Sequence, residues 1–175
     1  SSISSICAVE CLYFRCADLC ALTHNKPASL KVLSIENCPE FDDFSFLLMR
    51  RARFLQRLES VSIAGKKQTN TEKTAFAILA SAPHLKSISL PQSMSPRRLL
   101  LSMNEIYLRK QLPRGLQWFR LATSKTTDTN ELVSWIETHF TLSGLHVSHS
   151  HHKVIDYPYD ISTVRGAIWA QLRQH

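Results

Sequence analysis

Leu30-Lys31-Val32-Leu33-Ser34-Ile35-Glu36-Asn37-Cys38 decides the fold of this chain. It carries the apolar frame L-x-x-L-x-L and closes on a cysteine. Leu33 and Ile35 alternate with Val32, Ser34 and Glu36, which is the two-residue period of a short strand. The frame is read again at Val9/Leu12/Phe14, Leu58/Val61/Ile63, Leu85/Ile88/Leu90, Leu116/Phe119/Leu121 and Leu142/Leu145/Val147. First positions step by 21, 28, 27, 31 and 26 residues, about 27 on average. A unit of that length holds one strand and one longer connection, and stacked units share a continuous core.

Between the frames the period lengthens to that of a helix. Phe41 to Leu55 offers Phe44, Leu47, Leu48 and Leu55. Thr71 to Ala82 offers Phe76, Leu79 and Ala80. Ser95-Pro96 is an N-cap residue followed by proline at the first helical position, ahead of Leu99, Leu100, Met103, Ile106 and Tyr107. Asp128 with Glu131 approximates a capping box before Leu132, Trp135, Ile136 and Phe140. Asp160 to Gln174 places Ile161, Val164, Ile168 and Leu172 on one helical face. Strand and helix therefore alternate. A doubly wound sheet also alternates, but it needs no shared frame at the start of each strand. The expected fold class is α/β, a solenoid of parallel short strands. With four glycines and no linker, residues 1–175 read as one domain of about six repeats.

These residues resemble the leucine-rich-repeat proteins of the intracellular, helix-containing kind. That group includes ribonuclease-inhibitor-like and cysteine-containing repeats, as found in F-box/leucine-rich-repeat adaptors. The likeness covers roughly residues 7 to 150. Lys66, Ser93, Ser124 and Ser150 stand where the pattern places Cys or Asn. The resemblance implies a horseshoe with strands on its concave side, helices on its convex side and a C-terminal capping helix within residues 157–175. It further implies a non-enzymatic protein-interaction module, most specifically the substrate-receptor part of a cullin-type ubiquitin ligase. The partner would lie on the concave face. Its expected central row is Tyr13, Ser34, Ser62, Ser89, Arg120 and His146. Arg15, Glu36, Ala64, Pro91, Ala122 and Ser148 flank it on one side, and Cys11, Val32, Ser60, Ser87, Trp118 and Gly144 on the other. Tyr13, Arg15, Glu36, Trp118, Arg120 and His146 are the candidate contacts, since Tyr, Trp and Arg dominate interface hot spots.

The charge of +7 and pI of about 9.4 admit acidic partners of several kinds. Arg97, Arg98, Arg109 and Lys110 form the candidate basic surface. A basic nucleic-acid-binding or structural part of a ribonucleoprotein or organelle assembly is thus the alternative reading. Aromatic residues are not interleaved with the basic runs, so only weak nucleic-acid binding is expected. No apolar run approaches the ~18 residues of a membrane span. Ser1 to Ile6 lacks a basic, apolar leader pattern and reads as a cut through a longer chain, so a further upstream domain is expected. Five cysteines, an odd count, suit reduced thiols in an intracellular protein, cytoplasmic or nuclear. Cys7, Cys11, Cys16 and Cys20 have the spacing C-x3-C-x4-C-x3-C, unlike paired structural-zinc ligands. His146, His149, His151 and His152 have only Asp156 nearby to complete a set. Neither cluster is read as a metal site. No phosphate loop, dinucleotide turn or nucleophile elbow occurs, and no catalytic residue or cofactor is assigned.

Overall fold

The computed structural model describes residues 3–23, 29–122, 129–147 and 167–173. Five strands run parallel in chain order: β1 (Ser5–Val9), β2 (Val32–Glu36), β3 (Ser60–Ala64), β4 (Ser87–Leu90) and β5 (Trp118–Ala122). A helix follows each: α1 (Cys16–Leu22), α2 (Asp43–Arg51), α3 (Glu72–Leu79), α4 (Pro96–Leu108) and α5 (Asn130–His139). Among the described residues the parallel order never reverses, so these strands have no switch point of the doubly wound kind. Successive helices pack side by side, α1 on α2 through to α4 on α5.

Register explains the core. Ile6, Leu33, Val61, Ile88 and Phe119 occupy one level, and Ala8, Ile35 and Ile63 the next. All are buried, and Leu33, Ile35, Ile63 and Phe119 are fully so. They join Phe46 and Met49 of α2, Ile78 of α3, and Leu99 and Met103 of α4 in a single cluster, which Leu132 and Ile136 close on the α5 side. Each large apolar side chain withdrawn from water contributes about 1.5–3 kcal/mol before ordering entropy is subtracted.

Four expectations are corrected by the structure. The first frame is not Val9/Leu12/Phe14. Val9 is exposed at the end of β1, and Leu12 lies beyond it. Ile3, Ile6, Ala8 and Cys11 stand one period, 27 residues, before Leu30, Leu33, Ile35 and Cys38. The α2 stripe is also out of phase: Phe46 and Met49 are buried while Phe44 and Leu47 are exposed. The segment Phe44 to Met49 is nearly all apolar, so periodicity alone does not choose its inner face.

The other two corrections concern the C-terminal end. Leu142, Leu145 and Val147 lie on β6 (Thr141–Val147), but β6 is not a sixth parallel strand. Residues Ala167–Arg173 form β7, a strand rather than the last part of a capping helix. It runs antiparallel between β5 and β6, giving the order β1-β2-β3-β4-β5-β7-β6. Ile168, Ala170 and Leu172 fit a period of two as well as Ile168 and Leu172 fit a helical turn. Hydrogen bonding to the open edge of β5 selects the strand. Ile161 and Val164 lie outside the described residues.

Polar caps set the helix starts. Asp42 Oδ1 accepts from Ser45 N at the head of α2, and Thr71 Oγ1 accepts from Lys73 N at the head of α3. Pro96 stands at the first position of α4. Asp128, the expected opening of α5, lies outside the described residues, and Thr129 is the N-cap.

Candidate partner-binding face

The sheet face away from the core carries three rows. The central one runs Cys7, Ser34, Ser62, Ser89 and Arg120, and the backbone register continues it to Trp169 and His146. On one flank lie Ser5, Val32, Ser60, Ser87 and Trp118, and on the other Val9, Glu36 and Ala64. Pro91 is buried and stands just past β4, so it leaves its expected flank. The middle of the face is hydroxyl-rich and low, with Arg120 and Trp118 rising at the β5 side.

Arg120 is half-buried, and Nη1 donates to Ser89 Oγ at 3.1 Å. Desolvation pushes its pKa below the ordinary guanidinium value, though an arginine remains charged at any physiological pH. Trp118 is half-buried two residues away on the same strand. His146 is not on the strand next to Arg120, because β7 intervenes. The register therefore separates them by two interstrand spacings, about 10 Å.

Tyr13 and Arg15 do not belong to the central or flanking rows. Both follow β1, in the connection to α1. Tyr13 is 80% exposed there. Arg15 is the N-cap residue of α1, and its guanidinium pairs with Glu40, with Nη2 at 2.8 Å from Oε2. Cys7 takes the row position expected for Tyr13. The signal was present as the frame Ile3-x-x-Ile6-x-Ala8, masked by the larger apolar residues just after it.

The strand ends above Glu36 hold a polar cluster. Glu10, Asn37 and Gly65 follow β1, β2 and β3 at equivalent positions, and all have positive φ. Asn37 Nδ2 donates to Glu10 Oε1 at 2.7 Å, Asn37 Oδ1 accepts from Lys67 N, and Lys67 Nζ reaches Glu10 Oε2 at 3.0 Å. The Lys67 ammonium, helped by Asn37, holds the Glu10 carboxyl below the usual carboxylate range against a smaller opposing effect of desolvation. Glu59 is likewise lowered, by Lys86 and Lys31, which flank it at 2.7 and 3.3 Å on the opposite ends of the strands.

Beneath the cluster lies a buried network the sequence did not reveal. Gln68 Oε1 accepts from Cys38 N, and Gln68 Nε2 donates to Asn70 Oδ1. Asn70 Nδ2 donates to Phe41 O and Thr74 Oγ1, and Thr74 and Thr71 donate to Asp43. Gln68 and Asn70, not Lys66, thus serve the turn that Cys38 serves one unit earlier. The network's bonds to Cys38, Phe41 and Asp43 span about one repeat, so no local pattern marks them.

The thiols divide by depth. Cys7 and Cys11 are exposed, Cys20 is half-buried, and Cys16 and Cys38 are buried; all are free. Burial, with Cys20 beside it, pushes the Cys16 thiol up to about 12. Burial also raises Cys38. Among the described residues no group of three or more His, Cys, Asp or Glu side chains could hold a metal ion. His149, His151, His152 and Asp156 lie outside them.

The expected basic surface is split by α4. Arg97 and Arg98 sit in its first turn, and Arg109 and Lys110 just past its end. Leu99 to Leu108 lie between the pairs, so Arg98 and Arg109 stand about 17 Å apart along the helix axis. Arg98 lies 3.9 Å from Glu72, and Arg109 pairs with Glu105. Among the described residues no helix is long and apolar enough to cross a membrane. Comparison of the chain with protein-family models, with curated proteins and with solved structures finds no match.

Proposed function

We propose that this chain is a leucine-rich-repeat solenoid that binds a protein partner on the open face of its sheet and performs no catalysis itself. One observation carries the reading. Five parallel strands repeat the same frame in register and align a row of small side chains, Ser34, Ser62 and Ser89, that ends at Arg120. A low, hydroxyl-bearing centre bordered on one side by Trp118 and Arg120 suits a protein surface that lies along it. The specific role proposed is substrate recognition for a cullin-type ubiquitin ligase, with a compartment inside the cell, cytoplasmic or nuclear. That role rests on the resemblance of the repeat.

A nucleic-acid role for Arg97, Arg98, Arg109 and Lys110 is less favoured, because α4 separates the two pairs and Arg109 already has a carboxylate partner. The test is affinity capture with the wild-type chain and with Ser34→Arg/Ser62→Arg. The added side chains project from the face and leave the core unchanged. A partner held by the wild type and lost by the variant, at equal thermal stability, is the expected outcome. Recovery of a cullin scaffold with that partner supports the ligase role. A partner that binds both chains equally removes the sheet face from the proposal.

A further inference from the structure

A groove of about 880 Å³ opens where α2, α3 and α4 end and turn back toward β3, β4 and β5. The α2 side contributes Arg50, Arg51, Arg53 and Arg57, and the stretch after α4 contributes Lys110 and Arg114. His84 stands between them on the α3–β4 connection, and among the described residues no carboxylate lines the space. All seven side chains are exposed. None of the six permanent cations makes an ion pair among the described residues, although six such pairs occur elsewhere. So many like charges around one cavity repel each other and raise its potential.

Helix ends explain only part of this. Arg50 and Arg51 lie in the last turn of α2, where cations offset the helix dipole. Arg57 and Arg114 lie well past their helices and gain nothing from it. Arg53 and Lys110 are more telling. Each occupies the left-handed position just after its helix, with φ of 63° and 56°. The hydrogen bonds are the same at both: Phe54 N to Met49 O and Arg53 N to Arg50 O, then Gln111 N to Ile106 O and Lys110 N to Tyr107 O. That pattern favours glycine, since a Cβ is strained there. At both sites the chain carries a cation instead.

We propose that this groove binds an acidic peptide segment of a partner protein, through carboxylate or phosphate groups set against the arginines. Five of the six cations are arginine, whose planar fork pairs two-pronged with such groups. Ala80, Pro83, Leu112 and Pro113 add apolar surface to the lining of the groove. Single-stranded nucleic acid fits less well. Among the described residues, the one aromatic ring lining the groove is the His84 imidazole, while Tyr107, Trp135 and His139 pack on one another outside it, with Trp135 stacked on His139 at 4.5 Å. A single imidazole offers no row of platforms for successive bases.

The test is fluorescence anisotropy of a labelled Glu-rich peptide, its phosphoserine counterpart and an oligouridylate at physiological ionic strength, with melting curves of every chain. Arg53→Gly/Lys110→Gly relieves the two strained positions while removing two charges. The expected result is an unchanged or raised melting temperature with peptide affinity lowered about tenfold. Arg57→Gln/Arg114→Gln should act likewise, and Arg97→Gln/Arg98→Gln, outside the groove, should not. Tighter binding by the phosphoserine peptide assigns the anion as phosphate, and equal binding assigns carboxylate. Binding indifferent to both groove variants overturns the proposal, as does a falling melting temperature for Arg53→Gly/Lys110→Gly. Preferential binding of oligouridylate overturns it in favour of nucleic acid. Ser34→Arg/Ser62→Arg should leave peptide binding intact, so failure of the groove and failure of the sheet face are read separately.

Discussion

At the residue scale, the turn after each strand concentrates the strongest constraints. Gly65 has φ of 100°, and a Cβ there would lie 2.1 Å from Asn37 Oδ1. Gly65→Ala should therefore cost about 1–3 kcal/mol from backbone strain, and should also dislodge the Asn37 contacts. Urea unfolding measures it, and a neutral result would mean that Asn37 has another rotamer of equal energy. Asn70→Ala leaves the buried Gln68 amide and the Phe41 carbonyl short of a partner, with an expected loss of about 1–3 kcal/mol. The lowered Glu10 and Glu59 carboxyls set a pH sign. Their folded pKa values lie below the unfolded value, so their stabilisation is full above the ordinary carboxylate range, near ~4.3, and is lost as pH falls through the folded values. Lys86→Met should raise the Glu59 midpoint in an NMR titration, and an unmoved midpoint would remove Lys86 as its main cause. None of these pairings was legible in the sequence: Asn37 with Gly65, Asn70 with Phe41 and Lys86 with Glu59 meet about one repeat apart, Lys67 and Glu10 about two, all through side chains that no frame position specifies.

At the element scale, the strands from β2 to β5 were legible and the two ends of the sheet were not. Leu30, Leu33 and Ile35 read as a strand because alternation and frame agree, and the same holds for Leu58, Leu85 and Leu116. At β1 the inward residues are Ile6 and the small Ala8, so the stronger apolar signal of Val9, Leu12 and Phe14 drew the frame six residues too far. At β7 a short apolar run fits either period, and only the unpaired edge of β5 decides. Ser34, Ser62, Ser89 and Arg120 share one row as expected, whereas Tyr13 and Arg15 fall outside it for the same reason. The basic groove escaped because its cations come from the end of α2 and from separate connections that only the side-by-side packing of the helices brings together. Leu33→Ala should cost about 2–5 kcal/mol, given its complete burial. Deleting residues 167–175 removes β7 and bares the ladder groups of β5. The expected result is a lower melting temperature together with concentration-dependent association, since an open edge strand pairs with other chains. An unchanged melting curve would mean that β7 adds little to the stability of the parallel sheet.

At the scale of the whole molecule, the strands from β1 to β4 pair only with their neighbours in chain order, and each helix packs on the next. In the solenoid proposed above, stability is close to a sum of units and interfaces between them. Among the described residues β3 has a parallel partner on both sides, whereas β1 has one, β2. The same truncation should therefore cost more in the middle than at the β1 edge. Val61 and Ile6 occupy the same level of the sheet, and Ile6 retains 8% of its surface against 1% for Val61. Ile6→Ala removes more carbon than Val61→Ala, so transfer energy alone ranks Ile6 as the costlier loss. The array predicts that neighbours outweigh this for local opening. Amide exchange should be fastest at Ser5–Val9 and slowest along Ser60–Ala64, and Ile6→Ala should speed exchange in β1 while leaving β4 and β5 at wild-type rates. Val61→Ala should speed exchange in β2, β3 and β4 together. If Ile6→Ala raises exchange uniformly through β5, the sheet opens as one cooperative unit and the nearest-neighbour account of its stability fails.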